Sequence, residues 1–430
     1  MPSSPVPPPT PAEGGGVAVT VDVTEVTASL RFDPATRSAT QRSAVRFTAG
    51  GDGGRPALDL RQYVESIHLD GHDLGAEAWP VTDLGGGPGA GMRVLEAVVE
   101  PASTHLLELE GPLDTPHAEG AVPIGWRNRG VRFDLWMSDL RPGRYLESWL
   151  PAPLPHDRFA LTVRLEIAGT DRPHVVLTNG AVRQEGEGMW RVEFPPTFTS
   201  LSPMLVVAPV DEVEQRSTTV EVAGRPAPLR VRTSKMAEVD ADLAACEEDV
   251  VGWVTHNAAR YGPWAHGDAM TVVVWGPGRG MEYDGATTAS VGALEHEVFH
   301  SWFGRGVKPA HASDGWIDEA FTSWATSTRR SEGPRFAAEE LGLDDEPVVL
   351  CPPSPWSRHT PIESYTVGSR LFAGVAARIG GADRLRSAMA AYYRANAGGF
   401  VDTDGLAEHL RVWSGVGVGD LWSRYVHGRA

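Results

Sequence analysis

The sequence predicts an α+β protein, with a β-rich antiparallel N-terminal half followed by a mainly helical C-terminal half. Three observations carry this. From Val17 to about residue 230, short runs alternate apolar and polar residues between Asp-Pro, Gly-Gly and Asp-Gly breaks, the pattern of half-buried strands. Beyond that point the apolar period lengthens to that of a helix. Several of these helical stretches stop at glycine, which turns the chain out of a helix most easily.

Taken in order, residues 1–16 are rich in Pro and Gly and read as a disordered tail. The runs VAVTVDVTEV, ASLRFDP, SAVRFTAG and ALDLRQYVESIHLDG open a β-rich domain over residues 17–230, and THLLELEG, RFALTVRLEIAG, HVVLTNG, MWRVEF and MLVVAPV continue it. A second domain occupies residues 231–430. It begins with a helix over DADLAACEEDVVGWVTHNAARYG, where Leu243, Cys246, Val250 and Val254 form one apolar face. MTVVVWG is a short buried strand. Helices follow around residues 296–321, then over SYTVGSRLFAGVAARIGG, ADRLRSAMAAYYRANAGG, TDGLAEHLRVWSG and VGDLWSRYVHG. There is no internal repeat.

Composition excludes several classes of function. The formal net charge of -18 argues against nucleic acid, whose phosphates need clustered Lys and Arg. No apolar run approaches a membrane span. Cys246 and Cys351 lie at no redox or ligand spacing and read as free thiols. MPSSPVPPPTPAEGGG lacks the basic and apolar regions of a signal peptide, so a cytoplasmic setting is expected. Lysine is nearly absent, with only Lys235 and Lys308, and Arg stands in its place as a compositional bias. The sequence is silent on oligomeric state.

The chemistry concentrates in HEVFHSWFGRGVKPAHASDGWIDEAF, residues 296–321. His296 and His300 are four apart, so a helix puts both imidazoles on one face, where they can grip one ion. Glu297 sits beside the first. Alone, this pattern also suits an ordinary helix with a buried, hydrogen-bonded histidine. A catalytic zinc takes three protein ligands and keeps one position open. The metzincin arrangement needs Gly three and His six residues after the second histidine, where this chain has Phe303 and Gly306. His311 falls in a loop at no ligand spacing. Glu319, with 18 residues between it and His300, falls early in a second helix that can return it to the histidine pair. Without the histidines it would read as a carboxylate favoured by a helix dipole.

HExxH, 18 residues and Glu together resemble the gluzincin aminopeptidases, zinc metallopeptidases typified by aminopeptidase N and leukotriene hydrolase. HEVFHSWFG with DGWIDEAF is similar to that family's histidine helix and "LWLNEGFA" helix. GRGMEYDG at Gly278–Gly285 is similar to its "GAMEN" loop, and YTVGSRL at Tyr365 to its "YEKG" segment. The resemblance spans residues 17–428. It implies an antiparallel β-sandwich or saddle-like N-terminal domain and a thermolysin-like zinc peptidase domain. It further implies one Zn²⁺ held by His296, His300 and Glu319, with Glu297 as the base and Tyr365 as donor to the oxyanion. Glu282 would bind the free α-amino group of a peptide substrate, with Gly280 and Met281 along the substrate strand. Glu147, in GRYLESWLP, is a candidate second amine anchor. Asp314 and Asp318 either orient the imidazoles or cap helices. Trp302, Trp316 and Trp324 read as core.

The sequence departs from the family pattern in places. "NEG" reads DEA, so Ala320 replaces a glycine, and "GAMEN" reads RGMEY. Only 14 positions separate Glu282 from His296, fewer than is usual. The Pro-Cys-x-Asp turn is not intact at LPAPLPHD. No counterpart of the relatives' large C-terminal helical domain is present, which implies a more open cleft. Three functions stay open: an aminopeptidase; a zinc hydrolase of the same fold with a specialised substrate, such as a modified peptide, an internal peptide bond or an epoxide; or a non-catalytic zinc-binding module.

Overall fold

The computed structural model describes residues 7–87, 90–116, 123–327 and 346–429. The chain is mixed α and β, with substantial sheet, and divides into two units. One holds Ser4–Val213 together with Ser354–Arg358; the other holds Glu214–Pro353 and His359–Ala430. The division falls near Glu214, earlier than residue 231. The reason is local: the Val213–Val220 strand forms the edge of the second unit's sheet, beside Leu229–Met236.

In the β unit, an eight-stranded sheet is built on a long hairpin, Val21–Asp33 against Ser38–Ala49. Their side chains alternate buried and exposed, as period-two patterning requires. The antiparallel expectation fails at two places. Ala160–Ile167 pairs parallel to Val21–Asp33, and Val17–Val19 pairs parallel to Arg55–Leu58. Parallel partners are joined by distant chain, so no turn signal marks them. The expected tail is also ordered from residue 7. Thr10–Pro11 pairs with Val17–Ala18, and Arg55 Nη1 donates to the carbonyls of Glu13 and Gly15 at 3.2 and 2.6 Å. Residues 1–6 lie outside the described residues.

The five-residue return Ser354–Arg358 is part of this unit. Trp356 packs with Ala18, Ala57, Met92, Val94 and Leu154, and its indole donates to Thr10 Oγ1 at 2.9 Å. Arg358 donates to Asp59 Oδ2 at 2.8 Å and to Glu147 Oε1 at 3.1 Å.

The second unit has a five-stranded sheet in the order Val213–Val220, Leu229–Met236, Ala269–Trp275, Ala286–Ser290, Gly280–Tyr283. The middle three run parallel, and Gly280–Tyr283 is an antiparallel edge. Among the described residues seven α-helices accompany it: α1 Leu243–Arg260, α2 Leu294–Phe299, α3 Trp316–Ser327, α4 Ser369–Ile379, α5 Ala382–Asn396, α6 Thr403–Ser414 and α7 Gly419–Tyr425. Asp242 caps α1 by accepting from Ala244 N and Ala245 N. The expected apolar face of α1 is buried. Trp302, Trp316 and Trp324 are core residues, at most 1% exposed. They sit in one cluster with Phe299, Phe303 and Phe321. This aromatic mass packs α2 and α3 together, which sets His296, His300 and Glu319 relative to one another. Cys246 and Cys351 are free thiols. No described helix is long and apolar enough to cross a membrane.

Candidate metal centre

α2 is only six residues long, and His300 is its C-terminal cap with helical backbone angles. The four-residue spacing therefore still sets the two imidazoles together, with Nε2 atoms 3.0 Å apart. α3 returns Glu319, whose Oε2 lies 3.1 Å from His296 Nε2 and 3.4 Å from His300 Nε2. Three donors at about 2.0–2.1 Å from a tetrahedral zinc are about 3.3 Å apart, so this spacing fits one ion. The His300 ring is fixed from behind. Its Nδ1 lies 3.0 Å from the Phe303 carbonyl oxygen, with Thr322 Oγ1 at 3.3 Å. A proton on Nδ1 donates to that carbonyl and leaves the Nε2 lone pair facing inward.

The surroundings favour a cation. Burial opposes protonation of His300, yet the charges of Glu282 and Glu319 override it and push its pKa well up. Burial likewise raises the Asp318 carboxyl, with the charges of Glu319 and Glu282 adding to it. Burial also works against the Glu319 carboxylate, but His300 and His296 outweigh it and hold the pKa far down. Three buried carboxylates thus gather around neutral-capable imidazoles, a donor set suited to a divalent ion.

Glu297 is 7% exposed, one residue from His296. Its carboxylate packs against Gly280 so closely that a Cβ there would overlap Oε1. Gly280 is glycine because Glu297 occupies the space of its side chain. Tyr365 sits in a π-helical turn, Ser364–Gly368, that runs into α4. Such turns displace side chains from regular helix positions. Its hydroxyl donates to Glu319 Oε1 at 2.5 Å, and its ring stacks on His296 at 5.8 Å between centroids. The structure thus brings His296, Glu297, His300, Glu319 and Tyr365 together, with Gly280 and Met281 on the adjacent edge strand.

Two expected amine anchors are found in ion pairs. Glu282 is 3% exposed, and Arg305 Nη2 donates to its Oε1 at 2.6 Å. Glu282 also lies with His300 and Asp318 in one group whose ligand atoms are within 4.8 Å of one another. Glu147 belongs to the β unit, 1% exposed, in the cluster of Arg358, Asp59 and Arg61. Burial raises its pKa against the pull of Arg358. Its carboxylate is committed to that cluster. Asp314 fastens a loop: it meets His311 Nδ1 at 2.7 Å and accepts from Thr403 N and Oγ1 at 3.0 and 2.6 Å. His311 is bound there and is absent from the donor group.

Sequence reasoning missed Arg305 and Lys308. Lys308 Nζ donates to Asp284 Oδ2 at 2.6 Å, and both are buried. Its signal was its rarity. In a chain with two lysines, both are buried and paired, Lys235 with Glu214 at 3.3 Å. Arg305 carried only a weak signal, a lone charge inside the apolar run WFGRGV.

The fold is that of the M1 zinc metallopeptidases. The chain is similar to an M1 zinc metallopeptidase mutant from Deinococcus radiodurans bound to the substrate Tyr-Ser-Ala, with TM-score 0.64 and 19% identity over 95% of this chain and 94% of that one. Legionella pneumophila aminopeptidase A in complex with aspartic acid gives TM-score 0.66 and 14% identity, over 94% of this chain and 49% of that one. Native yeast LTA4 hydrolase gives 0.58 and 15%, over 91% and 65%. No family model and no curated protein matches the sequence.

Proposed function

We propose that this chain is a zinc aminopeptidase that releases N-terminal residues from peptides, built on a thermolysin-like catalytic unit and a saddle-like β unit. The observation that carries it is the convergence of two imidazoles and Glu319 at 3.0–3.4 Å, with Glu297 and Tyr365 beside them. His296, His300 and Glu319 would hold Zn²⁺, which supplies a Lewis acid for the scissile carbonyl. Glu297 takes a proton from the attacking water and passes it to the leaving amine. Tyr365 turns its hydroxyl from Glu319 to the developing oxyanion. Gly280 and Met281 carry the substrate backbone along the edge strand, and Glu282 offers its second carboxylate oxygen to the free α-amine.

One observation favours a different reading of the same centre. Arg305 already compensates the charge of Glu282, which would weaken selection for a cationic amine and suit an endopeptidase. A panel of free and N-acetylated aminoacyl substrates, run with metal analysis of the purified protein, separates the two. The aminopeptidase cleaves only the free forms. Equal cleavage of both removes Glu282 from the amine site, and bound zinc without cleavage leaves a binding module.

A further inference from the structure

A cavity of about 610 Å³ opens where three strands of the second unit's sheet end. Leu229–Met236, Ala269–Trp275 and Ala286–Ser290 run parallel, so their carboxyl ends share one side. Ser290 leads to Leu294, the start of α2, through Val291, Gly292 and Ala293 alone. That link is too short to cover the strand ends. Met236, Val239, Trp275 and Pro277 line the cavity. Val291 joins them and is 51% exposed. Glu238 and Asp240 stand exposed at the rim, and no Lys or Arg is among the lining residues.

The cavity continues the edge strand. Gly280–Tyr283 pairs with Ala286–Ser290 on one side, and among the described residues no strand pairs with its other side. An extended peptide can add there. Its direction follows from the proposed function, on which this inference rests. The amine lies at Glu282 and the scissile bond beside Glu297, whose carboxylate abuts Gly280. The peptide therefore runs opposite to the strand, from Glu282 toward Gly280. At about 3.3 Å per residue, the next residues pass Gly278 and Pro277, which border the cavity.

We propose that this cavity is a subsite for the third and fourth residues of the peptide substrate, favouring apolar side chains against its walls and cationic ones at Asp240. The occupant is the substrate's own downstream chain, because Pro277 and Gly278, which lead into the strand that would bind it, line the cavity, and the charged residues among its lining are Glu238 and Asp240.

The test uses tetrapeptides that share their first two residues and end in Leu-Arg, Leu-Leu or Asp-Asp. Leu-Arg is expected to exceed Asp-Asp about tenfold in kcat/KM. Gly276 lines the cavity, has no positive φ, and a Cβ there meets nothing within 4 Å. Gly276→Leu should therefore fill the space and bring the ratio within about twofold. Val291→Lys should lower it by adding a cation that repels Arg and attracts Asp, and Asp240→Asn should remove only the gain of Leu-Arg over Leu-Leu. Ratios taken within each variant cancel changes in overall rate. The same peptides titrated calorimetrically into the zinc-loaded Glu297→Gln protein give affinities without turnover. A preference that survives both Gly276→Leu and Val291→Lys overturns the subsite, as does its absence in the unmodified protein. Binding preference that Gly276→Leu removes, without any cleavage by the unmodified protein, upholds the subsite and rejects the aminopeptidase reading. Cleavage without preference does the reverse.

Discussion

Tyr365 and Arg305 show how single side chains divide between chemistry and structure. Tyr365 is partly exposed and donates to the buried Glu319. Tyr365→Phe is expected to lower kcat by about 10²–10³, near 3–4 kcal/mol of transition-state stabilisation, with zinc content unchanged. Stopped or steady-state kinetics beside metal analysis check this. Arg305 is different. It and Glu282 are both almost fully buried. Breaking such a pair from one side strands a charge, at about 3–5 kcal/mol. Arg305→Met should therefore destabilise strongly in urea unfolding, and the double variant Arg305→Met with Glu282→Gln should regain most of that loss. Additive losses would show that the two charges do not compensate each other. The contrast bears on legibility. His296, Glu297, His300 and Glu319 could be found from spacing, because helices give spacing a spatial meaning. Arg305 could not, because its partner is 23 positions away on a strand and no local period links them.

The elements that hold the site are short, and their precision comes from packing. α2 has six residues, too few for intrinsic helical stability. It is fixed by Phe299, Trp302 and Phe303 in the aromatic cluster and by whatever joins its histidines to α3. Chelation is thus expected to lower the melting temperature, with zinc restoring it, as for any ligand bound only by the folded state. An unchanged transition would mean that the protein core alone fixes the helices. The Gly280–Tyr283 strand adds a steric prediction. Gly280→Ala places a methyl against the Glu297 carboxylate, so activity should fall at least tenfold, the cost of a slightly misplaced catalytic group, while far-ultraviolet dichroism stays unchanged. Helix existence and the apolar face of α1 were readable from periodicity. The parallel strand pairs and the ordered Thr10–Pro11 strand were not, because each depends on distant chain.

For the molecule as a whole, pH enters through the β unit. Asp157 accepts from Val23 N at 2.9 Å, linking chain 134 positions apart. Burial, reinforced by the charge of Asp22, pushes its pKa up to about 7 from a usual 3.8. The folded state then holds the proton more tightly than the unfolded state between those values. Its stability contribution is full at low pH, falls as pH rises from about 4 to 7, and is flat above. Asp157→Asn keeps an acceptor for Val23 and cannot ionise. It should match the unmodified protein near pH 4 and exceed it at pH 8 by about 1–2 kcal/mol, allowing for partial exposure. Urea unfolding at the two values measures the difference, and equal stability at pH 8 would contradict the linkage.

The return of Ser354–Arg358 has a consequence for how the chain is made. The β unit is encoded first, yet Trp356 and Arg358, which complete its small core and its ion cluster, leave the ribosome only after most of the second unit. Until then Asp59 and Glu147 face each other without their shared guanidinium. The first unit to be synthesised therefore waits for most of the second before it can be finished. A fragment ending at Val213 is expected to be aggregation-prone, and a nascent chain should gain protease resistance in that unit only when translation has passed Arg358.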